Sequence, residues 1–318
     1  MPDRVQLITD LCQAWVDEIV QPDGSIIVRL DAKDNPLTRN GLFPHSMTHA
    51  ELRAATLGLL NVLSIPNYQV IGPDDKLLWG WCAEIFDTGY GYFQPRSPAD
   101  MELRSLFMAT AHASLADPQI VVAHERDPLA LQALPTSTRQ ALALIEDHST
   151  VSAYLCFPLL EGVLRKTLGE FVARDGGVLK PFSVAGIAYG RPKGRLQCNS
   201  LAHMLHLLES DQQEKGGALA DDLAVASNHL RRSQPGTGKH PYEMIGFWRN
   251  SSLHGNVSLI NMGARLFHLV NLIALHNLID VKLQPADYDH LADMARRRIA
   301  SQASAVRWSY YPSEIVRT

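Results

Sequence analysis

From Ser258 to about Asp280 the chain is apolar almost all the way round a helical wheel, and such a helix is stable in water only when other helices enclose it. That single segment dictates a helical bundle. It is a poor membrane span, because His268, Asn271, His276 and Asn277 interrupt its most apolar stretch, Leu266 to Ile279. Asn261, Arg265, His268 and Asn271 fall on one narrow stripe, and buried polar groups need partners. The stripe is therefore expected to face a dimer interface or an active-site wall, with satisfied core polar groups as the alternative.

The rest of the chain supplies the enclosing helices. Val5, Leu7, Ile8, Leu11, Trp15 and Ile19 carry helical spacing, and similar periodicity returns near 49–63, 76–86 and 98–116, the last with Ser97-Pro98 at its start. Asp23-Gly24 turns the chain into Ser25–Leu30, which reads as a strand, and Tyr68–Ile71 reads as a second that can pair with it. Gly89–Phe93 is glycine- and tyrosine-rich but lacks the strand–turn–helix setting of a phosphate loop, so it reads as a packing loop. Between 118 and 136 the periodicity fades and Pro118, Pro128 and Pro135 occur, which marks a linker. Beyond it, helices are expected from Thr136 or Ser137 to Ile145, over 151–172 with a kink or restart at Pro158, and near 196–211, 217–232, 241–253 and 285–302. Residues 178–195 read as a turn-rich insertion. The fold class is thus mainly α, with an N-terminal domain over 1–136 that includes a small β element and a helical domain over 137–318.

Charge divides along the same line. Residues 1–136 hold 9 basic and 17 acidic side chains, whereas 137–318 hold 20 and 16. A formal net charge of −4 argues against a protein that wraps its whole surface in nucleic acid, but leaves room for a local basic site in the second half. With 46% hydrophobic and 19% charged residues, disordered and low-complexity classes are excluded. Cys12, Cys82, Cys156 and Cys198 are far apart and form no zinc-type cluster, which fits buried thiols, a cytoplasmic setting, and neither metal nor cofactor.

The segment Phe247-Trp-Arg-Asn-Ser-Ser-Leu-His-Gly255 sets an Arg-Asn pair five residues ahead of a histidine, between a short helix and the long buried one. Spacing alone is weak, since 21 Arg and 13 His supply about two to three such pairs by chance. Arg39-Asn-Gly-Leu-Phe-Pro-His45 is one of them, but it lies in a turn-rich stretch and Pro44 precedes its histidine. Only Arg249 and His254 stand directly before a buried helix. Five residues rotate an ideal helix by about 140°, so the pair can share a cleft only if the helix ends between them and Gly255.

In that setting the segment resembles the R-x4-6-H motif of the HEPN superfamily, in the form with Asn after the Arg and Gly after the His. Phe157-Pro-Leu-Leu-Glu-Gly-Val-Leu-Arg165 is also similar to an early helix of HEPN groups from abortive-infection and other antiviral systems. The resemblance implies a C-terminal HEPN-like bundle, a homodimer, and a metal-independent endoribonuclease whose catalytic residues are Arg249, Asn250 and His254. His254 would move protons, Arg249 would clamp phosphate and Asn250 would orient either partner. It places the protein in antiviral defence or a toxin-like stress response, with RNA as partner and a regulatory protein meeting the acidic N-terminal domain. Glu161 and Arg165 read either as an i,i+4 surface pair or as cleft-lining residues. Arg265 and His268 are candidates for the same wall, and Arg191, Lys193 and Arg195, like Arg296–Arg298, read as solvated faces or as a grip on RNA phosphates. Two rival readings stand: a catalytically silent HEPN-like module that binds nucleic acid or nucleotide or scaffolds a complex, and a purely structural helical protein. Arg249 and His254 at a helix end would also favour the negative pole of its dipole without any function.

Overall fold

In the computed structural model, residues 3–26, 36–66, 73–88, 98–115, 148–233, 238–253 and 262–280 are described. Helices dominate. α1 (Arg4–Ile19) begins where the Asp3 carboxylate accepts the Val5 N–H at 3.0 Å, and buries Ile8, Cys12, Val16 and Ile19. After a four-residue helix α2 (Pro36–Arg39) and a short 3-10 turn at Pro44–Ser46, α3 (His49–Leu63) opens with a reciprocal cap. Thr48 Oγ1 accepts the Glu51 N–H at 3.3 Å and the Glu51 carboxylate accepts the Thr48 N–H at 2.9 Å. α1 lies close against α3 because Gly58 has no side chain: a Cβ there would come within 2.6 Å of the Cys12 sulfur. α4 (Pro73–Thr88) and α5 (Pro98–Leu115) complete the first half.

α6 (His148–Thr167) runs through Pro158 as one helix, so the expected restart does not occur. It ends before Leu168 and Phe171, which continue its apolar stripe from the turns that follow. The expected turn-rich insertion contains a hairpin, β1 (Phe182–Val184) paired antiparallel with β2 (Ile187–Tyr189). Its two-residue turn, Ala185-Gly186, has φ of 49° and 74°, the all-positive geometry whose twist suits a tight hairpin. α7 (Leu201–Glu214), α8 (Ala218–Arg232), α9 (Pro241–Leu253) and α10 (Met262–Asp280) follow.

α10 is the hub. It packs on α6, α3, α8, α4 and α5, and Leu266, Phe267, Leu269, Val270, Leu272 and Ile273 are fully buried. Burial of side chains of this size stabilises by roughly 1.5–3 kcal/mol each. Gly263 admits the backbone of α6, since a Cβ would lie 2.8 Å from the Ala153 nitrogen. One continuous apolar core holds Leu52 and Leu59 of α3 together with Leu160 of α6, Leu223 of α8 and Ile273 of α10, so helices from either side of the expected boundary share it. Of the strand expected over 25–30, Ile26 forms an isolated antiparallel bridge with Val20; residues 27–30, the boundary at 136–137, the strand at 68–71 and the helices at 137–145 and 285–302 lie outside the described residues.

A polar clamp ties three helices beside that core. Asp222 of α8 takes Arg53 of α3 at 2.7 Å and His276 Nε2 of α10 at 2.7 Å on the same carboxylate oxygen. The stripe on α10 also faces inward. Arg265 is buried and its Nε donates to the Leu63 carbonyl, 2.6 Å away, while His268 and Asn271 are fully buried, His268 with its ring 5.5 Å from Trp79. The expected dimer or cleft wall is thus an interior surface against α3 and α4; Asn261 lies outside the described residues. The four cysteines are buried free thiols, and among the described residues no helix is long and apolar enough to cross a membrane.

Candidate functional site

α9 is anchored by its inner face, where Tyr242, Ile245 and Trp248 are buried, and this sets Arg249 at the margin of the bundle with its side chain one-third exposed. From there the guanidinium meets two other segments. Nη2 lies 3.1 Å from Glu161 Oε2 on α6, and Nη1 donates to the Asn199 carbonyl at 3.4 Å. The other oxygen of Glu161 pairs with Arg165, one turn further along α6, at 2.5 Å. Arg165 in turn donates to Asn199 Oδ1 at 3.0 Å. Glu161 and Arg165 are therefore both the i,i+4 pair and part of the Arg249 site. One carboxylate holds two guanidiniums and leaves a unit of positive charge over.

Asn199 is placed by the insertion. Gly176 has φ of 89°, and a Cβ on it would collide with the Asn199 side chain. The Cys198 N–H donates to the Gly176 carbonyl at 2.8 Å, locking the two strands of the loop together. The next residue, Ser200, caps α7 by accepting the His203 N–H at 3.3 Å, so the positive end of α7 opens at the same place.

These elements bound a cleft of about 470 Å³ lined by Arg249, Asn250, Asn199, Gln197, Arg195 and Tyr189, with Ser200 and Leu201 of the α7 start. Tyr189 stacks on Phe182 across the hairpin, and its hydroxyl lies 2.6 Å from His203 Nδ1. Burial pushes the Tyr189 phenol up. Burial and then the nearby Arg195 charge push His203 down, keeping that ring neutral near pH 7. Two guanidiniums, a side-chain amide and a helix start facing one cleft are suited to an anion with several oxygens, phosphate above all.

No family model matches the chain, and neither a curated protein nor a solved structure is significantly similar to it. The chemistry of the cleft is the guide to its use.

The cleft brings together Arg249, Asn250 and Arg195, with Glu161 and Arg165 behind Arg249. It does not bring in Arg191 and Lys193, which are exposed on the turn after β2, or Arg265 and His268, which are inside. His254 immediately follows α9, and with Gly255 and Arg296–Arg298 it lies outside the described residues. Arg39 ends α2 and His45 lies in the 3-10 turn, four residues ahead of α3, which is itself largely buried, so a place before a buried helix does not by itself separate this pair from Arg249 and His254. Sequence reasoning missed Asn199, Gln197 and the Tyr189–His203 pair. Ser200 before an apolar-periodic run marked the helix start beside them, but nothing local marked the insertion as a cleft wall. It also missed Tyr154, half-exposed on α6, whose hydroxyl donates to the Ser252 carbonyl at 2.9 Å and ties down the last turn of α9. Among the described residues, no three His, Cys, Asp or Glu side chains are grouped to hold a metal ion.

Proposed function

We propose that the protein is a HEPN-type endoribonuclease that cleaves RNA without a metal, as a homodimer, in antiviral defence or a toxin-like stress response. The observation that supports this reading most is the meeting of Arg249, Asn250 and Arg195 in one anion-suited cleft, with Arg249 held by Glu161 of α6 and His254 the first residue after α9. In the proposed reaction one His254 removes the 2′-hydroxyl proton. The 2′-oxygen bonds to phosphorus, the bond to the 5′-oxygen breaks, and the second His254 of the dimer protonates that leaving oxygen. Arg249 and Arg195 stabilise the charge on the phosphorane oxygens. The products are a 2′,3′-cyclic phosphate and a 5′-hydroxyl end.

A second reading has an observation of its own. Two of the guanidinium nitrogens of Arg249 are already engaged by Glu161 and Asn199, which suits a silent module that binds RNA or a nucleotide. Incubation of end-labelled RNA in EDTA with wild type, Arg249→Ala and His254→Ala separates the two. Cleavage to cyclic-phosphate ends by wild type, reduced at least a hundredfold in both variants, supports the nuclease. Equal cleavage by all three overturns it, and so does intact RNA with retained salt-sensitive binding, which establishes the second reading.

A further inference from the structure

Tyr189 forms part of the cleft wall, and its phenol has a single proton to donate. The hydroxyl lies 2.6 Å from Nδ1 of His203 on α7, a half-buried ring behind Tyr189. Both partners are held in place. Tyr189 stacks on Phe182 with ring centres 4.7 Å apart, and His203 meets the Tyr189 ring edge-on at 5.8 Å. Arg195 is fixed beside them by one backbone bond on either side of Tyr189. The Gly190 N–H donates to the Arg195 carbonyl at 2.8 Å, and the Arg195 N–H donates to the Ala188 carbonyl at 3.0 Å. The charged residues that line the cleft are Arg195 and Arg249, with no carboxylate among them.

We propose that Tyr189 and His203 form a proton-linked latch on this cleft: when an RNA phosphate settles against Arg195, His203 takes up a proton and the Tyr189 O–H turns from His203 to the phosphate. The inference rests on the proposed function for its ligand, an RNA phosphodiester. In the empty cleft the Tyr189 O–H donates to Nδ1 of the neutral ring, so the phenol proton is already in use. In the loaded cleft Nδ1 carries a proton from solvent and donates to the phenol oxygen, while the phenol proton goes to a phosphate oxygen. Burial keeps Tyr189 itself protonated throughout. Two effects drive the uptake. Burial and then the Arg195 charge hold His203 low, and a bound phosphate cancels the second of these. The chain from phosphate through Tyr189 to His203 is also charge-assisted at both ends once the ring is an imidazolium. The other charged neighbours stay as they are: Glu243 on α9 favours the imidazolium in both states, and burial holds down His206, one turn along α7. Proton and phosphate therefore tighten each other's binding by the same factor. Tyr189 touches the ligand, and His203 is a positioning residue that acts through it.

The test is fluorescence anisotropy at fixed ionic strength with a labelled 2′-O-methyl oligouridine octamer. It cannot be cleaved, so the readout does not depend on activity, and none of its groups titrates across the range used. Wild type is expected to bind about fivefold more tightly at about pH 5.5 than at about pH 7.5. Tyr189→Phe, which keeps the stack on Phe182, and His203→Gln are each expected to reduce that ratio to about twofold or less. His254→Ala is expected to keep it, which separates the latch from the motif histidine. In parallel, the ring signals of His203 are followed by NMR in wild type, where the octamer should move their titration midpoint to higher pH. Melting curves check the variants, and the NMR titration with Tyr189→Phe carries the test if His203→Gln does not fold. A ratio as large in His203→Gln as in wild type, or a His203 midpoint that the octamer leaves in place, overturns the latch. Cleavage by a wild type whose binding does not change with pH overturns the latch and leaves the proposed function standing. Binding with proton uptake at His203, by a wild type that never cleaves RNA, supports the latch and overturns the nuclease. Wild type that binds no RNA overturns both.

Discussion

Glu161→Gln removes one negative charge from between Arg165 and Arg249 while keeping the shape of the side chain. The Arg165 contact, at 2.5 Å with both side chains 16% exposed, is shielded enough for a charge-assisted bond of about 2 kcal/mol. The Arg249 contact, at 3.1 Å with the arginine side chain 33% exposed, is partly screened and contributes about 1 kcal/mol. The variant should therefore lose about 3 kcal/mol, seen as a melting temperature several degrees lower. A double-mutant cycle with Arg249→Gln should give a coupling energy of about 1 kcal/mol. At the same time the cleft gains a unit of positive potential. For a charge about 6 Å away in a half-hydrated site of effective dielectric about 40, that is roughly 1.4 kcal/mol, or tenfold tighter binding of an uncleavable RNA. Cleavage should fall in the same variant, because Arg249 is no longer held in place. Binding and turnover should therefore move in opposite directions. A coupling energy indistinguishable from zero, or RNA affinity unchanged by the substitution, would refute the role given to Glu161.

Three further outcomes are expected. Asp222→Ala leaves Arg53 and His276 facing each other without their shared carboxylate and should cost about 3–5 kcal/mol, measured by chemical denaturation; a loss under 1 kcal/mol would show that the clamp is not structural. Gly176→Ala forces a side chain into a backbone with φ of 89° and against Asn199, so stability should fall by about 1–3 kcal/mol, measured by chemical denaturation, and RNA binding should weaken to the extent expected for Asn199→Ala. Burial, with Arg232 adding to it, lowers His229 to about 4, so between pH 6.5 and 4 the unfolded chain binds a proton that the native ring refuses. The associated stability, roughly 2–3 kcal/mol, is fully present above pH 6.5 and is lost as pH falls towards 4. Urea midpoints over that range should drop less steeply in His229→Gln, and identical slopes would overturn the assignment.

Local signals were legible in the sequence wherever a helix carried its own instructions. α3 and α9 fall on their expected spans because their apolar spacing and starting residues are local properties. The sheet of the insertion escaped, since β1 and β2 are three residues each and too short to show alternation. The polar stripe on α10 was expected to face a dimer interface or an active-site wall, but periodicity gives a direction around a helix and not what stands there: the stripe is interior, and the Asn271 amide is buried without a hydrogen bond. The partners of Arg265 and His268 proved to be the Leu63 carbonyl of α3 and the Trp79 ring of α4, more than 180 residues away in the chain.

The candidate site divides the same way. Arg249 and Asn250 were marked by their place at the end of a short helix before a buried one, a relation between neighbours along the chain. Glu161 and Arg165 were visible only as a pair on one helix. That α6 carries this pair to Arg249, that Gly176 leaves room for Asn199 between them, and that Arg195 turns toward the same cleft while Arg191 and Lys193 turn away are consequences of packing. By itself the sequence determined most of the described helices and that an apolar helix must lie at the centre, because backbone propensity and amphipathic period are short-range. Only the tertiary structure decided which charges meet, because an electrostatic contact of 3 Å depends on how helices cross, and helix crossing is set by side chains far apart in the chain.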